Sequence, residues 1–204
     1  MILFDGCSFT FGDELENPEK DAYPHLVARM GLMDNAKPRI YKSIGECGKS
    51  NDGILRTTLE FCEKNPVSIA VIQFTKFSRR ELLRKGRKKY FHITAENKDE
   101  GSLEYYRNFQ NVDDDFANFH KNKFLLENYF KKRNIRYFFL SIQNMNKLGF
   151  YNHSSWYDLC DKKPILNIRE LLGGKRWHPE NYVTGHPNKK GHQMIAKEVY
   201  ENIF

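Results

Sequence analysis

The chain has 204 residues, 40% hydrophobic and 14% aromatic, with 33 Lys+Arg against 26 Asp+Glu for a formal net charge of +7. That composition excludes a disordered chain and is enough for one domain over 1–204 with a full core. No apolar run approaches the ~18 residues of a membrane-spanning helix, and the basic excess favours anionic partners without fixing one.

The first element is a short apolar strand, Met1–Phe4, that ends in Asp-Gly and breaks into the small polar cluster DGCSFTFG. In DAYPHLVARMGL, Leu26, Val27 and Met30 fall at helical spacing with Gly31 as a stop. Arg39–Ile44 reads as a second strand. SNDGILRTTLEFCEKNP reads as a helix with a Ser or Asn cap, apolar positions at Ile54, Leu55, Leu59 and Phe61 or Cys62, and a terminal Asn-Pro. Val67–Phe74 is continuous and β-branched, the pattern of a strand buried on both faces of a parallel sheet.

The basic run RKGRKKY, Arg84–Tyr90, reads as a solvated loop, so nucleic-acid binding is not expected. Residues 85–103 are polar and glycine-punctuated, an insertion or lid-like loop. Leu103–Asn134 is amphipathic, one or two helices whose aromatic stripe is core packing. IRYFFLSIQ is another buried strand, PILNI a short one between irregular stretches, and NKKGHQMIAKEVYENIF a closing helix with Met194, Ile195, Val199 and Ile203 on its apolar face. Alternating strands and helices with the most apolar strands in the middle give an α/β domain of three α/β/α layers around a central parallel five-stranded sheet. Ligands in such sheets sit beyond the carboxyl ends of the strands.

Three features fall at those ends. Ser8 follows the first strand, Gly48 and Asn51 follow the second in GKSNDGI, and His186 precedes the last helix in TGHPNKKGHQMIA. Each alone has an ordinary reading: turn chemistry for Ser8, a helix cap for Asn51, a cap or surface residue for His186. In this order they resemble the SGNH (GDSL-like) hydrolases, esterases and acyl hydrolases of flavodoxin-like α/β fold. The resemblance runs from Met1 to the final helix and is closest to short divergent members, phage-encoded ones included, whose first block reads like DGCSFTFG or GDSFTYG followed by YPHLVA. It implies Ser8 as nucleophile and His186 as its base, with the Ser8 and Gly48 N–H groups and an asparagine amide as oxyanion donors.

The chain departs from that pattern in three places. The GDS motif is Gly6-Cys7-Ser8, and alternation along the strand points Cys7 away from Ser8 into the core; Cys7 as nucleophile is the lesser alternative. The third-block GxND is missing from VIQFTKFSRRE, where Gln73, Thr75 and Lys76 stand; Asn51 and Thr75 are the two candidates to replace its asparagine. Val183 and Thr184 occupy the positions of the acid, leaving Glu180, Asp158 or a Ser–His dyad with Nδ1 on a backbone carbonyl.

The expected function is hydrolysis of a small ester or an O-acetylated carbohydrate without cofactor or metal, with Trp156 and Tyr157 lining the pocket. The alternative is a non-catalytic descendant that binds glycans or belongs to a particle. Cys7, Cys47, Cys62 and Cys160 show no metal spacing and read as free thiols. His25, His92, His120, His153, His178 and His192 read as structural or surface residues. MILFDGCSF lacks the basic and apolar regions of a signal peptide, so a soluble chain in the cytoplasm, or in a particle assembled there, is expected. The oligomeric state is open.

Overall fold

The structure is a computed structural model that describes residues 1–30, 39–83, 86, 89–143, 159–161, 165–173 and 180–204. The apolar runs form its main sheet. In chain order the strands are β1 (Ile2–Asp5), β2 (Tyr41–Ser43), β3 (Ile69–Phe74), β4 (Arg80–Leu83), β5 (Tyr90–Ile93), β6 (Arg136–Ser141) and β7 (Leu166–Asn167). Five of them order as β2-β1-β3-β6-β7, every pair parallel, with Ile2 opposite both Tyr41 and Ile69.

The helices are α1 (Ser8–Phe11), α2 (Pro18–Asp21), α3 (Tyr23–Met30), α4 (Asn51–Lys64), α5 (Glu100–Asn108), α6 (Val112–Lys132), α7 (Ile168–Leu171) and α8 (Lys189–Ile203). Alternate side chains of the sheet enter two cores. Ile2, Phe4 and Val71 pack with Val27 of α3 and with Ile195, Val199 and Ile203 of α8. Leu3, Ala70, Ile72 and Phe74 pack with Ile54 of α4 and with Phe119, Leu126 and Phe130 of α6. Burying such side chains contributes about 1.5–3 kcal/mol each, which is why these strands and helices form at all. The result is a three-layer α/β/α domain. The chain leaves β1 for β2 on one side and returns to β3 on the other, so a crevice opens beyond the carboxyl end of β1.

Two expectations are refined. The 85–103 segment is not simply a loop: Tyr90–Ile93 pairs antiparallel with Arg80–Leu83, and α5 begins at Glu100. The long amphipathic stretch is two helices, and Asn111 caps the second by accepting from Asp113 N at 2.8 Å. Gly31, Arg84, Lys85, Arg87, Lys88, His153, Trp156, Tyr157, Asp158 and His178 lie outside the described residues.

Candidate active site

The turn after β1 is held from below by β3. Gly6 leaves no room for a side chain: a Cβ there would lie 2.2 Å from Thr10 Oγ1 and 2.9 Å from Gln73 Cβ. That close approach lets Gln73 Oε1 accept from Cys7 N and from Thr10 Oγ1, both at 3.1 Å, with the Cys7 thiol at 3.3 Å. Cys7 is fully buried in the core. Ser8 opens α1, so its N–H has no acceptor within that helix.

His186 reaches Ser8 from the other end of the chain. An isolated bridge between Tyr182 and Pro187, with Val183 N donating to His186 O at 2.9 Å, closes the turn that carries it. Asn188 then caps α8 by accepting from Gly191 N at 3.0 Å. His186 Nε2 lies 2.9 Å from Ser8 Oγ, and the Phe9 ring meets the imidazole edge-on at 5.5 Å. For Nε2 to accept the hydroxyl proton, the neutral imidazole must carry its own proton on Nδ1.

A carboxylate does stand near Nδ1, and sequence reasoning missed it. Glu14 Oε1 is 3.3 Å from His186 Nδ1, without the alignment of a hydrogen bond. The same carboxylate accepts from the backbone N–H groups of Thr184, Gly185 and His186 at 3.1, 3.2 and 3.2 Å, and from the Thr184 hydroxyl. Partial burial opposes its ionisation, but these hydrogen bonds, first that of the Thr184 hydroxyl, outweigh it and hold the carboxyl at about 2. Glu14 sits at φ 68, left-handed backbone that a non-glycine residue adopts at a cost of order 1 kcal/mol or more. Asp13 Oδ2 lies 3.7 Å from Nε2. Of the acids expected from sequence, Glu180 pairs with Lys190 at 3.2 Å and Asp158 is outside the described residues, while Val183 is exposed.

The oxyanion candidates flank the start of α4. Gly48 has φ 78, conformational space that favours glycine. Ser50 is the cap, accepting from Gly53 N at 3.1 Å, which frees the Asn51 side chain. Asn51 Oδ1 accepts from Thr75 N just past β3 at 2.9 Å, and its buried Nδ2 has no partner among the described residues. Thr75 Oγ1 is occupied as an acceptor for Arg79 Nη1 at 2.8 Å, and Lys76 pairs with Glu96.

Beneath this loop is a charged pair that the sequence reading passed over. Lys49 Nζ donates to Asp5 Oδ1 at 2.6 Å and to Ile44 O at 2.9 Å, with both side chains at most 1% exposed. Asp5 also accepts from Thr57 and Thr58 hydroxyls at 2.6 and 2.9 Å and from Gly6 N at 2.7 Å. The pair fastens the loop bearing Gly48 to the end of β1, three residues before Ser8.

A cavity of about 180 Å³ opens past the ends of β3 and β6, lined by Lys76, Ser78, Ile142, Gln143 and Arg169. Two other histidines contact aromatic residues of the fold. His192 stacks on Tyr23 and accepts from Tyr23 N at 3.1 Å, and burial lowers it to about 4. His25 Nδ1 lies 3.0 Å from Tyr41 OH. All four cysteines are free, and among the described residues no cluster of metal-ligating side chains occurs. No described helix is long and apolar enough to cross a membrane.

No family model matches the chain, and no curated protein matches it in sequence. Solved structures do match in fold. The esterase EstA from Pseudoalteromonas sp., in a structure inhibited by monoethylphosphonate, is 15% identical with a TM-score of 0.63, covering 99% of this chain and 95% of its own. A putative lipolytic protein of the G-D-S-L family from Desulfitobacterium hafniense is 13% identical with a TM-score of 0.57, covering 98% and 97%. The acetyl xylan esterase AlAXEase is 16% identical with a TM-score of 0.54, covering 100% and 99%. The chain therefore has the fold of the GDSL/SGNH esterases along nearly its whole length.

Proposed function

We propose that this protein is a serine ester hydrolase. The observation that carries the reading is the 2.9 Å approach of His186 Nε2 to Ser8 Oγ just beyond the carboxyl end of β1, across 178 residues of chain. Ser8 Oγ attacks the ester carbonyl carbon while its proton passes to Nε2, and the carbonyl electron pair moves onto oxygen. The Ser8 and Gly48 N–H groups and Asn51 Nδ2 are the donors for that oxyanion; in a water-poor site one such donor is worth about 3 kcal/mol of barrier. Collapse breaks the bond to the alcohol, which leaves with the proton from Nε2. Water, deprotonated by His186, then adds to the acyl-enzyme and releases the acid and free Ser8.

A short acyl group on a carbohydrate is the substrate class that fits. Four of the five side chains lining the cavity past β3 and β6 are polar or charged, which suits sugar hydroxyls better than a long acyl chain. The likeness to an acetyl xylan esterase points the same way. The test is turnover of p-nitrophenyl acetate together with fluorophosphonate labelling, both expected in the wild type and absent in Ser8→Ala. A folded wild type with neither would instead be the non-catalytic binding protein.

A further inference from the structure

We infer that Glu14 is the positioning carboxylate of the Ser8–His186 pair, supplied from the segment that carries the nucleophile and not from the residues preceding the histidine. The inference rests on the ester-hydrolase reading above and assigns the partner that reading leaves open at Nδ1. Three observations carry it. The residues two and three before His186 are Thr184 and Val183, neither of which bears a carboxylate. Among the described residues Nδ1 has no aligned acceptor, and the carboxylate of Glu14 lies 3.3 Å from it. Glu14 is also held in a left-handed backbone conformation at φ 68 and grips three consecutive backbone N–H groups of the turn that carries the imidazole.

The two carboxylate oxygens divide the work. Oε2 accepts from the Thr184, Gly185 and His186 N–H groups, which fixes the turn. Oε1 accepts from the Thr184 hydroxyl and faces Nδ1, which fixes the ring. A carboxylate there favours the tautomer with the proton on Nδ1, leaving the Nε2 lone pair for the Ser8 proton, and it stabilises the imidazolium formed when that proton arrives. Apo geometry of this kind is commonly loose and tightens with substrate bound.

Glu14→Gln separates the two jobs. The amide oxygen can still accept from the three backbone N–H groups, and its NH2 can donate to the Thr184 hydroxyl. That places a donor opposite Nδ1 and disfavours the productive tautomer. On p-nitrophenyl acetate E14Q is expected to lower kcat by at least about 10²-fold with little change in KM, as an orienting-group loss does. T184A removes one hydrogen bond of the clamp, leaves the carboxylate in place and is expected to stay within about tenfold of wild type. Proton NMR at acid pH should show a far-downfield Nδ1–H resonance in wild type and in S8A that is absent in E14Q.

An E14Q enzyme within about threefold of wild-type kcat would overturn the assignment, as would a T184A loss equal to that of E14Q. So would the absence of that resonance from the wild type, a measurement that needs no variant to fold. If the wild type turns over no ester but the resonance appears and depends on Glu14, the ester reading falls and the Glu14–His186 assignment stands.

Discussion

Asn51 Oδ1 accepts the Thr75 backbone N–H at 2.9 Å, tying the first turn of α4 to the end of β3. The contact turns the side-chain amide so that its oxygen is used structurally and its NH2 is left over. Asn51→Asp preserves the acceptor for Thr75 and removes the donor. Turnover of p-nitrophenyl acetate by N51D is expected to fall by about 10²–10³-fold, while circular dichroism shows a native fold. Wild-type turnover in N51D would remove Asn51 from the oxyanion site.

The buried Lys49–Asp5 pair gives a stability prediction. Lys49→Met leaves the Asp5 carboxyl without its counter-ion in a fully buried position, a loss of about 3–5 kcal/mol. Removing both charges in D5N/K49M should recover most of it, because burying the pair is itself costly. Urea melts of the two variants and wild type decide this; equal losses in K49M and D5N/K49M would mean the pair is not the source.

Acid stability should fall in two windows. His192 is lowered to about 4 by burial, so the unfolded chain, with its ordinary value of 6.5, binds more protons between those limits. Its contribution is present above 6.5 and is lost as pH falls towards 4. Glu14 is depressed to about 2 from 4.5, so its contribution is present above 4.5 and is lost between 4.5 and 2. Thermal melts across pH should show the wild type converging on E14Q in the lower window, and H192N should flatten the slope in the upper one. Parallel pH curves for wild type and either variant would contradict the corresponding assignment.

Much of the sheet was legible because burial on both faces leaves uninterrupted apolar runs, as in Ile69–Phe74 and Arg136–Ser141. The hairpin was not, because RELL and YFHI are half-polar and partly exposed, and a basic run separates them. The β7 strand has only two residues, too few to show a period. Ser8 and His186 were readable as candidates through a chain-wide order of blocks. Glu14 was not, since nothing local distinguishes it and its partners lie 170 to 172 residues away. Its one local signal is an acidic pair, Asp13-Glu14, directly behind the nucleophile turn. Asp5 left a clearer trace: a carboxylate closing an apolar strand needs a cation, and Lys49 is the one that reaches it.

The Met1 ammonium donates to Pro66 O at 3.1 Å, and Arg136 at the start of β6 donates to Ile203 O. Both extremities of this chain therefore sit where the strands begin, with the length of β1 separating them from Ser8, on the order of 13 Å of extended backbone. A fusion partner or a surface tether joined at either extremity would project from the floor of the molecule, leaving the mouth of the crevice clear.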